Sequence, residues 1–306
     1  MPRSLTVVEP FRSLFYAPQF VALHGGYFAA EDLAVTIRTA GDGLTTTGAL
    51  LDGLAEISLG GLMRSFELAD RGAGILVHFA EVNSRNGFFL LSRAPRPRFQ
   101  WADLVGQTVI SFAEAPTPWQ CMLRVLRREG VDPARVTIRR DLPVPEAVAA
   151  FREGQAEFLE QGQPVVEQLL MQGAAHLVAS MGEATGPLPF SSYMTTPRVL
   201  REEEDMVRRF TRGLFRAQDW LAQQSGATIA DLIAPSFPDI DPVLRTRAVD
   251  RYLKQGTWAR DPILRRPGYD YLQSILIDGG FIRSSHRYEE LVDTEIARQV
   301  AEAARV

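Results

Sequence analysis

Two carboxylates, Glu114 and Glu160, and a scatter of aromatic residues are the parts of this chain best equipped to hold a ligand. Glu160 follows the apolar run AEFL, which places it at the carboxyl end of a strand and not on a solvated helix face. Glu114 sits in AEAPTPWQ, beside Thr117 and Trp119, where a strand gives way to a helix. A carboxylate in such a place accepts hydrogen bonds from ring N–H or amino groups. Phe15 and Tyr16 come after the strand-like LTVV and are expected to end that strand, where a cleft would open. A tyrosine at a rim offers an apolar face and one polar handle. Phe190 and Tyr193 lie in the proline-containing GPLPFSSYMTTP, and Asn83 in the polar loop EVNSRNG. Ser58 and Gly61 flank the start of a helix, where they can bond a ligand or cap the helix. Stacking faces plus hydrogen-bonding groups are the means to recognise a small, flat molecule. Core packing is the competing reading of the aromatics, and caps and ion pairs that of the polar residues.

Groups for bond chemistry are sparse. Lys254 is the only lysine and Cys121 the only cysteine, which leaves one candidate for a Schiff base and no disulfide or thiolate cluster. The histidines, His24, His78, His176 and His286, show no metal-binding spacing, so no metal or other cofactor is expected. His24 reads as a packing residue on the helix PQFVALHG. The net charge of -4, with no basic block, argues against nucleic acid as a partner. No apolar run reaches the roughly 18 residues that a membrane span needs. No signal-like apolar stretch opens the chain. The expectation is therefore a mature periplasmic or membrane-tethered form whose signal was removed, or otherwise a cytoplasmic protein, in either case a monomer.

The elements that must position these residues follow an α/β pattern. Short apolar runs (LTVV, LAVTIRTA, AEISLGG, GILVHFA, GFFLLSR) alternate with helix-period segments, as in a mainly parallel sheet covered by helices. A second α/β block runs from ADLVG to AHLVAS, and the chain turns mostly helical after Thr196. One echo links the blocks. Gly53-x-Ala55-Glu56-Ile57 and Gly154-x-Ala156-Glu157-Phe158 each follow a helix and open a strand, so the loops Leu59-Gly60-Gly61 and Glu160-Gln161-Gly162 occupy equivalent strand ends. Ligands of open α/β sheets sit outside such ends. The segments Leu91–Pro97 and Pro187–Thr196 read as two crossovers. They divide the chain into a discontinuous first lobe, 1–92 with 194–306, and an inserted second lobe, 93–193, joined by a two-segment hinge.

FYAPQFVALHGGYFAAEDLAVTIRTAG followed by ALLDGLAEISLGG resembles the solute-binding proteins of ABC importers for nitrate, taurine, aliphatic sulfonates and thiamine-pyrimidine precursors. DLVGQTV, REGVDPARV and RYLKQGTWARDP are similar to the same family, so the likeness covers roughly residues 5 to 282. It implies a two-lobe, type II periplasmic-binding fold with ligand held between lobes, and an ABC permease as partner. Anion-binding members commonly place small hydroxylated and glycine residues after the strand read here as QTVISF. This chain has AEAPTPWQ, whose Pro116 and Pro118 supply no N–H and whose Glu114 carries the wrong charge for an anion. The expectation is a binding protein, not an enzyme, for a flat aromatic or nitrogen-heterocyclic ligand, with a sulfonate- or nitrate-type anion as the alternative. An enzyme or sensor like the fungal thiamine-pyrimidine synthases is the other. Those use a lysine-bound pyridoxal phosphate, a sacrificial histidine and a cysteine-rich motif, most of which this chain lacks.

Overall fold

The structure is a computed structural model and describes residues 1–304. Among them run β1 (Arg3–Glu9), β2 (Leu33–Thr39), β3 (Ile57–Gly60), β4 (Val77–Asn83) and β5 (Phe89–Ser92). Then follow β6 (Thr108–Ile110), β7 (Thr137–Arg139), β8 (Phe158–Gln161), β9 (His176–Ser180) and β10 (Ser191–Thr195). They form two sheets, in the orders β2-β1-β3-β10-β4 and β7-β6-β8-β5-β9.

The two sheets repeat one plan. In the first, β1 pairs in parallel with β2 and β3; in the second, β6 pairs in parallel with β7 and β8. In each the fourth position is taken by an antiparallel strand adjoining a crossover, β10 or β5. The sequence echo maps onto this repeat. Gly53 and Gly154, with φ of 69° and 84°, turn the chain out of a helix and into the central strand β3 or β8. That left-handed conformation is cheap only for glycine. Both central strands are buried along their whole length, as strands covered by helices on both faces must be.

The crossovers lie a few residues earlier than the sequence suggests. β5, with Leu91, already belongs to the second sheet, and β10, with Tyr193, belongs to the first. The chain therefore passes between sheets at residues 84–88 and 181–190. Prolines 95, 97 and 197 mislead here, because they mark strand and helix ends and not the hinge. The C-terminal helices also bridge the sheets. Gln163 donates its N–H to the Tyr252 hydroxyl at 3.1 Å, Arg247 and Arg251 pair with the buried Glu167, and Tyr271 donates to the Thr185 carbonyl at 2.9 Å.

Candidate functional site

The carboxyl ends of β1, β3, β6 and β8 converge on a cavity of about 250 Å³ between the two sheets, just below the usual span of ligand sites, about 300–1,000 Å³. β1 stops at Glu9, so Phe15 and Tyr16 do not end the strand. They sit on a single 3₁₀ turn, Leu14–Tyr16, opened by Ser13, whose hydroxyl accepts from the Phe15 N–H at 3.1 Å. The turn is pinned from below. The Phe15 carbonyl accepts from Asn83 Nδ2 at 2.7 Å and from Trp258 Nε1 at 2.9 Å.

Aromatic rings line the cavity from both sides. Phe15 meets Tyr16, Phe190 and Tyr252 at ring-centre distances of 5.5, 5.7 and 5.7 Å, the Phe190 contact edge-on. Phe88 of the first crossover and Phe112 of the second lobe lie 4.9 Å apart, and Phe112 reaches Phe11 of the first lobe at 5.9 Å. Offset and edge-on arrangements at these distances are the favoured ones for such rings. Tyr16 is buried, which raises the pKa of its hydroxyl and keeps it protonated.

Polar groups punctuate this belt. Ser13, Ser191, Thr117, Gln161 and Gln163 reach the cavity, as do Arg12, Arg64 and Glu114. Arg12 is held by the fully buried Glu9, Nε to Oε1 at 2.6 Å, and Glu9 also accepts from Gln19 at 2.8 Å and Thr39 at 3.0 Å. Arg64 stands in the first turn of the helix Met63–Asp70, and its guanidinium has no ion-pair or hydrogen-bond partner among the described residues. A half-buried guanidinium facing an apolar cavity is a ready partner for an anion.

The residues expected from the sequence divide in two. Phe15, Tyr16, Gly61, Glu114, Thr117 and Phe190 line the cavity. Five others do not. Ser58 is wholly buried and donates to the carbonyl of Thr46, at the start of the helix Thr46–Leu51, at 2.7 Å. Asn83 is wholly buried and holds the Phe15 turn. Tyr193 is wholly buried and donates to Gln19 Oε1 at 3.2 Å, so it supports the network that fixes Arg12. The Trp119 ring lies under the Arg140 guanidinium, 3.8 Å from its centre, in a neighbouring groove. Glu160 points away from the cleft into the second lobe, where Ser111 donates to it and its Oε1 has no partner among the described residues. Burial pushes its carboxyl up to about 7, with the Ser111 hydrogen bond acting against the rise. Strand pleat explains the Glu160 miss: neighbours on a strand face opposite sides, so Gln161 reaches the cavity and Glu160 does not.

Several lining residues escaped the sequence reading. Gln161 and Gly162 were signalled by the internal echo as a strand-end loop, and the cavity receives them together with Gln163. Arg64 carried the signal of a helix start after a strand-end glycine pair. Tyr252 had none, since it arrives from a helix, Pro242–Gln255, far along the chain.

Comparison with known proteins agrees with this architecture. A family described as NMT1/THI5 like matches residues 15–227. YtlA of Bacillus subtilis (strain 168), whose name proposes it as a binding protein, is 30% identical over 296 residues, 96% of this chain and 89% of its own. The periplasmic aliphatic sulphonate binding protein SsuA from Escherichia coli superposes with a TM-score of 0.75 at 15% identity, over 96% of this chain and 93% of that one. The desulfurization enzyme DSZB shares the fold as well, with a TM-score of 0.71 at 15% identity, over 99% of this chain and all of that one. The chain thus has the two-lobe fold of periplasmic binding proteins and belongs to the NMT1/THI5-like family.

Proposed function

We propose that this protein is the solute-binding component of an ABC importer, acting on the periplasmic side or tethered to the membrane, and that it holds a small, flat aromatic or nitrogen-heterocyclic molecule between its lobes. The aromatic lining of the cavity, contributed by both lobes, carries the reading. Rings on two sides give a flat ligand stacking faces, and Glu114, Thr117, Ser191 and the glutamines give its edge hydrogen-bond partners. Affinity then comes from burying apolar area, about 25 cal/mol per Å², and orientation from the polar edge. The residues divide the labour accordingly: the pinned Phe15–Tyr16 turn presents a preformed face, and the second lobe supplies the opposing one.

Capture and delivery need no bond chemistry, and the lining suits that. The cavity residues include no histidine, cysteine or lysine. Cys121 is wholly buried outside the cavity and its thiol is pushed up to about 12, so it is no ready nucleophile.

Arg64 favours a second reading, an organic anion such as a sulfonate. A thermal-shift screen of the purified chain separates the two. Pyrimidines and neutral aromatic compounds that raise Tm, with taurine and alkanesulfonates inert, support the flat-ligand reading. The reverse pattern overturns it in favour of the anion. Mass spectrometry of mixtures with each active compound checks for turnover, which would overturn the non-enzymatic role.

A further inference from the structure

A second cavity, of about 770 Å³, lies behind the hinge, lined by other residues than the cleft. Both crossovers border it, through Ser84 and through Thr185–Pro189, and the segment Ala259–Asp261 forms a further wall. Glu81 of β4 lines it. Its backbone is fully used, the N–H by the Pro262 carbonyl at 2.8 Å and the C=O by Gln218 at 2.8 Å. Its carboxyl has no hydrogen bond or ion pair among the described residues, although the residue is only 5% exposed. The carboxyl oxygens are open to the cavity and not sealed in the core, so a partner for this carboxyl comes from what the cavity holds.

The other charges of the cavity are unevenly engaged. Asp261 and Arg265 neutralise each other at 2.7 Å. Arg260 is exposed, lines the same cavity and has no ion-pair partner among the described residues. That leaves one acid and one base open to an occupant, with Leu188 and three prolines as the apolar wall. We propose that this cavity is a second small-molecule site, taking a free α-amino acid with its ammonium on the Glu81 carboxylate and its carboxylate on Arg260. The zwitterion supplies the missing partner on each side, which neither a simple anion nor a simple amine does. Because the occupant touches both crossovers, it also bears on the hinge that the cleft depends on.

The site has its own pH signature. Burial pushes the Glu81 carboxyl up to about 8; the positive charge of Arg265 opposes this and Asp261 reinforces it. Arg260 is the remaining charged group facing the cavity. At pH 7 the empty site keeps its proton, and a bound ammonium expels it. Affinity therefore rises with pH up to about 8.

The test is a thermal-shift screen of the full chain against the common L-amino acids, one at a time. At least one is expected to raise Tm by about 3 °C at saturation. Its N-acetyl derivative and its methyl ester, which lack the ammonium and the carboxylate respectively, are expected to be inert. Glu81→Gln and Arg260→Ala should each abolish the shift, and Arg64→Ala, in the cleft, should leave it intact. No shift with any free amino acid overturns the site, as does a shift that survives Glu81→Gln. A shift lost in Arg64→Ala but kept in Arg260→Ala places the amino acid in the cleft and overturns it too. Should Glu81→Gln fail to fold, the exposed Arg260 decides the matter alone. The cleft ligand can fail its own screen without touching this result.

Discussion

At the scale of the residue, Arg64 and Tyr193 illustrate how position outweighs type. Tyr193 has the chemistry of a ligand-stacking residue, yet both its faces are packed: Phe210 meets it edge-on at 4.8 Å and Phe79 lies 6.4 Å away. Arg64 looks like an ordinary helical arginine and faces the cavity with no protein partner among the described residues. A charge-assisted hydrogen bond to an anion is worth about 1.5–3 kcal/mol. Arg64→Ala is therefore expected to weaken an anionic cleft ligand by about ten- to hundredfold. Without ligand its Tm should move by about 2 °C or less, since no folded-state partner is lost. Titration calorimetry beside thermal unfolding checks both halves. A neutral aromatic ligand should be much less sensitive to the same change.

At the scale of the element, the first crossover is packed tightly against the turn that carries the aromatic face. A Cβ built on Gly87 would lie 2.3 Å from the Phe15 ring, and Phe15 is boxed in by Phe190 and Tyr252. The glycine is there for close approach and not for a left-handed backbone. Gly87→Ala is expected to force the ring or the crossover aside, at a cost of about 1–3 kcal/mol. The same displacement disturbs the stacking face, so ligand affinity should fall along with Tm. A loss of stability with affinity unchanged would mean that Phe15 is core filler. The side chain of Asn83 belongs to this unit too, since it anchors the turn through the Phe15 carbonyl.

At the scale of the whole molecule, buried carboxyls shape the pH dependence of stability. Glu160 ionises near 4.5 when unfolded and at about 7 when folded. The folded chain binds more protons across that window, so this group makes stability fall as pH rises from 4.5 to 7 and level off above. His78 opposes it. Wholly buried between Ser65 and Ser192, its ring is pushed down to about 3, which makes stability rise from pH 3 to 6.5. Comparing Tm of the wild-type chain and Glu160→Gln at pH 5 and pH 7.5 cancels the histidine. The variant is expected to gain on the wild type at the higher pH by an amount on the order of 1–3 kcal/mol. An unchanged difference across that range would show that Glu160 titrates normally. Ligand in the cleft should add a Tm rise that scales with the logarithm of its concentration, by mass action.

The alternation of apolar runs and helix-period segments determined the fold class, because burial period is a local property written in every strand and helix. The repeated helix-glycine-strand unit likewise located two equivalent strand ends, and both open on the cleft. Resemblance of motif order carried the family. Tertiary structure alone decided which side chains face the cavity. A strand's pleat sends Gln161 inward and Glu160 outward, a difference of one residue that composition cannot resolve. It also brought in Tyr252 from a distant helix, set the crossovers at residues 84–88 and 181–190, and joined Ser84, Glu81 and Arg260 around a second cavity. Those outcomes depend on contacts between segments far apart in the chain, whose geometry is set only when the two sheets and the bridging helices pack together.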